Sequence, residues 1–143
     1  MADSAELAER LRTVIGHLVR TVRTFDTLPT GEAAVLGYLN REGPRTAAEL
    51  AERRGVRHQS VAKSVSELLD QGYVRTEPHP TDGRKQLVHL TARGLGRLDE
   101  ERHRRADPLA AAIDTELTAA ERRELARCVR LLDRLAARVR DAR

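Results

Sequence analysis

The chain has 143 residues, 34% of them charged and 40% hydrophobic, with a net charge of +4 and a pI near 10.0. That length supports one domain with a modest core rather than an elaborate enzyme, and no apolar run approaches the ~20 residues needed to cross a bilayer. With two tyrosines, one phenylalanine and no tryptophan, almost nothing is available to stack on single-stranded bases, so duplex DNA is the better partner for this basic balance.

The acidic, polar start Met1-Ala-Asp-Ser-Ala-Glu6 does not resemble a secretory signal, and a soluble, cytoplasmic chain is expected. Residues 5–25 then predict a long helix. Leu7, Leu11, Val14, Leu18, Thr21 or Val22, and Phe25 recur near the 3.5-residue repeat of packed helices. Leu28-Pro29-Thr30 ends it, because proline disfavours helix in the residue before it. Thr30 is expected to cap a helix from about Gly31 to Asn40 that turns Val35, Leu36 and Leu39 inward.

Thr46-Ala-Ala-Glu49 has the form of a capping box, opening a helix with Ala47, Leu50 and Ala51 on one face. It ends near Arg54-Gly55, where glycine permits a sharp turn. A second helix spaces Val61, Val65, Leu68 and Leu69 for burial and sets Gln59, Ser60, Lys63 and Ser66 on the other face. Gly72 stops this helix. Tyr73 to Glu77 predicts a strand, Pro78-His-Pro-Thr-Asp-Gly83 a turn, and Gln86 to Leu90 a returning strand. Two helices at a glycine turn followed by a hairpin form a shape that enters a DNA groove.

Ala92 to about Ala106 is expected to be helical, with a break and restart at Asp107-Pro108. Thr118-Ala-Ala-Glu121 is a second capping box, and the last helix runs to about Val139 with Leu125, Val129, Leu132, Leu135 and Val139 in one stripe. The fold class that follows is mainly α with a small β-wing: a winged helix-turn-helix flanked by long dimerisation helices. Residues 29–91 form the DNA-binding lobe, and 1–28 with 92–143 the helical dimerisation region of one continuous domain. The end helices carry more apolar seam than one protomer covers, which implies a partner chain; a monomeric bundle burying everything internally is the alternative.

Several side chains suit DNA. Glutamine pairs bidentately with adenine, lysine with guanine, and serine with bases or phosphate, so Gln59, Lys63 and Ser66 are the base-reading candidates, with His58 and Ser60 beside them. Arg57 precedes the helix where a serine-like cap is typical, and either the helix start is shifted or this arginine touches phosphate. At the hairpin tip, Asp82 is expected to hold the Arg84 guanidinium by a bidentate pair, presenting it to a narrow minor groove. Lys85 adds a phosphate contact. The five histidines show no metal-ligand spacing, so no metal or other cofactor is expected. Cys128 on an apolar stretch has the setting of an inert buried thiol. No nucleophilic triad, phosphate loop or catalytic carboxylate pair stands out, so no enzyme is expected.

The run Gly72-Tyr-Val-Arg75, Pro78, Asp82-Gly-Arg84 and Leu90-Thr91-Ala-Arg-Gly94 resembles the wing of the MarR (multiple antibiotic resistance regulator) family. That wing carries an Asp-x-Arg pair at its tip and a strand closing in Leu-Thr-x-x-Gly. Leu36-Gly-Tyr-Leu39 and Ala48-Glu49-Leu50-Ala51 resemble the family's preceding helices, and the likeness in element order covers nearly the whole chain. It implies a homodimeric, sequence-specific transcriptional regulator, a repressor on an inverted-repeat operator, released by a small aromatic or phenolic effector. By position, Leu11, His17, Leu18, Tyr38 and His103 would line the effector pocket. The chain departs from the family in Lys63 where arginine is usual, in Lys85 where a small residue is common, and in Thr76-Glu77 where arginine often stands before the wing. The competing readings are a winged-helix interaction module that sequesters another regulator without reading DNA, and a general architectural binder with salt-sensitive but sequence-indifferent affinity.

Overall fold

The computed structural model describes residues 3–142. Its elements run α1 (Ser4–Arg23), α2 (Thr30–Glu42), β1 (Arg45–Thr46), α3 (Ala47–Arg54), α4 (His58–Asp70), β2 (Val74–Pro78), β3 (Gln86–Leu90), α5 (Ala92–Glu116) and α6 (Ala119–Arg140). The protein is mainly helical with a three-stranded antiparallel sheet in the order β1-β3-β2, the winged helix-turn-helix class expected. No helix is long and apolar enough to cross a membrane among the described residues.

The chain forms two compact units, one running through Arg105 and one from Ala106 onward. The first holds the core. Leu36, Leu50, Leu68, Val35, Val61 and Val88 are almost completely buried, with Leu28, Leu39, Val65, Val74 and Leu98 around them. Each such side chain contributes about 1.5–3 kcal/mol on leaving water, so α2, α3, α4 and the sheet hold one another. The second unit is a helical hairpin whose turn is closed by the full Thr118–Glu121 capping box, with Arg122 Nη1 3.1 Å from Asp114 Oδ1.

Neither α1 nor α6 buries a single residue. Leu7, Val14, Leu18 and Phe25 are exposed on or just after α1, as are Leu125, Val129, Leu135 and Val139 on α6.

Four local expectations are corrected. Thr30 does not cap α2: Pro29 is the N-cap residue, and Thr30 is already the first helical residue. The Thr46 box is half made. Its hydroxyl accepts the Glu49 N–H at 3.2 Å, but the Glu49 carboxylate takes the Thr46 hydroxyl at 3.1 Å, and Thr46 also pairs with Leu87 as part of β1, a strand not anticipated. Leu69 is 39% exposed, because it sits at the edge of the face that buries Val61, Val65 and Leu68.

The break at Asp107-Pro108 is absent, and α5 runs unbroken with Pro108 inside it. Proline removes one backbone donor at a cost of about 3 kcal/mol in a helix interior. The alanines before and after it, Ala106 and Ala110 to Ala112, carry the helix through. The boundary between the two compact units lies just ahead of this proline.

Candidate nucleic-acid interface

The turn between α3 and α4 is built by backbone chemistry. Gly55 adopts the left-handed conformation (φ 63°) and its N–H reaches the Ala51 and Glu52 carbonyls, while Val56 N–H donates to Ala51 O at 3.1 Å. Arg57 is the N-cap of α4 and makes no side-chain cap bond, so the helix start is not shifted and its guanidinium is exposed. With Val61, Val65 and Leu68 turned into the core, the helical period places Gln59, Lys63 and Ser66 on the opposite, solvated face, and His58 and Ser60 on its flanks. All five are exposed.

The strands of the wing pair from Val74↔Leu90 to Pro78↔Gln86. Its base is locked where Thr91 Oγ1 donates to Gly72 O at 2.7 Å and accepts the Gly94 N–H at 3.0 Å. Gly94 is required there by space: a Cβ would stand 2.0 Å from Tyr73 O.

At the tip, the His79 imidazole accepts both the Thr81 and the Asp82 backbone N–H through Nδ1, each at 3.2 Å. Nδ1 is therefore unprotonated. This organising histidine was missed; the signal available was a histidine between two prolines, ahead of the tip. Asp82 does not form the expected bidentate pair. Its Oδ1 accepts the Arg84 backbone N–H at 3.2 Å, and the Arg84 Nε lies 3.6 Å away, too long for a hydrogen bond. The aspartate thus shapes the turn and stays within ion-pair distance of the Arg84 guanidinium, a side chain that is 95% exposed.

A cleft of about 370 Å³ between α4 and the wing brings His58, Ser66, Arg84 and Lys85 together over an apolar floor that includes Ala62 and Leu69. Gln59 and Ser60 do not line it. Lys63 lies toward the other edge of α4, beside a cavity of about 540 Å³ that it shares with Glu32, Glu67 and Arg97. Burial first, and then the Glu67 charge, push the Glu32 carboxyl above its ordinary value, while a hydrogen bond with Gln71, and after it Arg97 and Lys63, pull it back.

Glu77 is engaged on the wing itself. Arg75 Nη1 donates to its carboxylate at 3.2 Å, and His89 Nε2 lies 2.6 Å from it. Arg75 first, and His89 after it, hold this carboxyl below the usual range.

The residues assigned to an effector pocket do not gather. Tyr38 lines a cavity of about 410 Å³ with Arg23, Asp26, Arg41, Arg54 and Arg105, but Leu11, His17, Leu18 and His103 do not. Leu11 is half-buried on α1, His17 and Leu18 are exposed there, and His103 is exposed on α5 with Nδ1 2.7 Å from Asp99 O. The arginines of this cavity come from separate elements, so no local pattern announced them. Cys128 is exposed rather than buried. No grouping of three or more metal-ligating side chains occurs among the described residues.

A family model for the MarR family matches residues 26–85. An uncharacterized HTH-type transcriptional regulator of Mycobacterium leprae is 33% identical over 119 residues, which is 80% of this chain and 83% of that protein. A Pseudomonas aeruginosa structure, proposed to be a transcriptional regulator, superposes with a TM-score of 0.80 at 29% identity over 95% of this chain and 97% of its own. Wild-type apo MarR from Escherichia coli shares the fold with a TM-score of 0.63 at 20% identity, covering 92% and 98%.

Proposed function

The chain belongs to the MarR family of DNA-binding transcriptional regulators, and on that footing we propose that it is a homodimeric, ligand-responsive repressor reading an inverted-repeat operator. The observation that carries the reading is the joint presentation of α4 and the wing. The polar face of Gln59, Lys63 and Ser66 is solvated, and Arg84 projects from the neighbouring tip. In the proposed complex α4 enters the major groove, where Gln59 and Lys63 contact base edges and Ser66 a base or phosphate. Arg57, His58, Ser60 and Lys85 contact the backbone, and Arg84, on the turn held by Asp82, enters the minor groove.

Dimerisation is supported by the apolar residues left exposed on α1 and α6. An isologous two-fold contact through residues 1–28 and 92–143 would cover them and leave residues 29–91 as the DNA-binding lobe. Two recognition helices about 34 Å apart then match half-sites one helical turn apart. Such a protein works where DNA is, in the cytoplasm, and performs no catalysis. One observation favours a sequestering interaction module instead: Glu77 holds Arg75 in an ion pair on the wing and so competes with phosphate for that guanidinium.

Selection of bound sequences from random duplex DNA separates these readings. An enriched inverted repeat is expected, with half-site centres about 10 base pairs apart. Enrichment of no sequence at low salt overturns operator reading: duplex retained without preference marks an architectural binder, and no duplex retained leaves the interaction module.

A further inference from the structure

The cavity on the outer face of α2 is lined by an excess of positive charge. Along α2, Ala33, Ala34 and Gly37 line it without a side-chain polar atom, and Thr30 adds one hydroxyl. Gly37 matters here: a Cβ would stand 3.1 Å from Arg41 Nη1, so its absence leaves room for the Arg41 head to fold back along its own helix, over the Tyr38 ring at 5.1 Å. Tyr38 is itself fixed, since its hydroxyl donates to Arg53 O at 3.3 Å.

Of the four arginines at the rim, Arg105 is the one paired with a carboxylate among the described residues. Its Nε and Nη2 donate to the two Asp26 oxygens at 2.6 and 2.7 Å, which consumes the one carboxylate lining the cavity. Arg23, Arg41 and Arg54 make no salt bridge among the described residues, although arginines elsewhere in the chain pair with Glu9, Glu42, Asp99 and Asp114. Guanidinium groups do not lose their charge at any ordinary pH, so an anion in the hollow they line is attracted by all three at once. A monoanion would leave most of that charge standing. The volume lies within the range of small-molecule sites.

Resting on the ligand-responsive reading above, we propose that the effector is a small organic dianion, a dicarboxylate or a phosphate monoester, held by Arg23, Arg41 and Arg54. Guanidinium forks suit both carboxylate and phosphate oxygens. The three arginines come from the end of α1, the end of α2 and the last turn of α3. An anion drawing them together couples the α1–α2 corner to the helix pair that presents the recognition helix. In the dimer, that coupling resets the separation of the two recognition helices and lowers operator affinity.

The test uses the full chain, its melting temperature, and binding to the duplex obtained by selection. The probes are succinate, glycerol phosphate, inorganic phosphate, salicylate and phenol. Succinate or glycerol phosphate is expected to raise the melting temperature and release the duplex, whereas salicylate and phenol do neither; which of the two dianions acts at lower concentration identifies carboxylate or phosphate as the recognised group. Inorganic phosphate is expected to act only at higher concentration than the better organic dianion, because it has no carbon skeleton to fill the cavity.

Arg41→Gln and Arg54→Gln should each weaken that binding by about tenfold or more while leaving ligand-free operator affinity unchanged. Arg134→Gln, on the exposed surface of α6, should bind the dianion as the parent does. Release by salicylate or phenol with no response to any dianion would keep the ligand-responsive reading and overturn the dianion. Equal dianion binding by parent, Arg41→Gln and Arg54→Gln would overturn the site. Arginine-dependent stabilisation with operator affinity unmoved would uphold the site and overturn the ligand-responsive reading.

Discussion

The Glu101 carboxylate of α5 is fastened to Thr27, on the connection between α1 and α2. The Thr27 N–H donates to its two oxygens at 3.1 and 3.0 Å, and the Thr27 hydroxyl donates to it as well. Arg97 bridges the pair, donating to Glu101 at 2.8 Å and to the Thr27 hydroxyl at 2.7 Å. Burial alone would raise this carboxyl, which is 1% exposed. The hydrogen bonds from the Thr27 hydroxyl, Arg97 and the Thr27 N–H outweigh burial and bring it down to about 2.

A carboxyl held below its unfolded value contributes stability that is present above that value and is lost as pH falls through the folded one. For Glu101 the window runs from the ordinary 4.5 down to about 2, and the contribution is about 3 kcal/mol. Glu101→Gln is expected to melt lower at neutral pH and to show a flatter loss of stability through that acid window. Parallel acid curves for variant and parent would mean that the cluster holds no linked proton.

Gly94→Ala is expected to destabilise the protein by about 3 kcal/mol or more, since the new methyl meets backbone rather than a yielding side-chain end. The Tyr73 carbonyl sits 2.0 Å from the required Cβ and Leu90 Cδ1 2.9 Å. Gly96→Ala, two residues on with nothing within 4 Å, should be neutral or gain up to about 1 kcal/mol from helix propensity. Chemical denaturation of both variants checks the contrast.

Gln59→Ala should cost about 1–3 kcal/mol at the cognate site and relax the base preference there. Binding to cognate and scrambled duplexes at one salt concentration is the measurement. An equal loss on both would assign Gln59 to phosphate.

Arg84→Ala should leave the melting temperature unchanged, because an almost fully exposed side chain packs on nothing. It should weaken the operator complex and reduce the salt slope by about 1. Asp82→Ala should produce a smaller loss without the slope change, because Asp82 holds the Arg84 backbone rather than its guanidinium. Operator titrations across a salt series distinguish the two effects, and an unaltered Arg84→Ala complex would remove the wing from the DNA interface.

Leu132→Arg places a charge in the apolar stripe of α6 and should dissociate the proposed dimer and lower its melting temperature. Sedimentation at micromolar concentration reports the result. A folded monomer in the parent protein would exclude the dimer outright.

Sequence by itself determined the elements whose causes are local. The spacing of Val61, Val65 and Leu68, the glycines at 55 and 72, and the Thr118–Glu121 box each place a helix or its end by side-chain period or cap chemistry acting within a few residues. The Asp82-Gly-Arg84 tip and the Leu90-Thr91…Gly94 closure were legible as a wing, and with them the family.

Tertiary structure decided what depends on distant partners. β1 is two residues long and exists by pairing with Val88 and Leu87. Pro108 carries the local signature of a helix start, yet the helix continues through it. The Glu101–Thr27–Arg97 cluster and the rim of Arg23, Arg41, Arg54 and Arg105 join side chains from different elements. Charge in a sequence has no address until packing brings it together, and that is why the wing could be read from the sequence and the anion cavity could not.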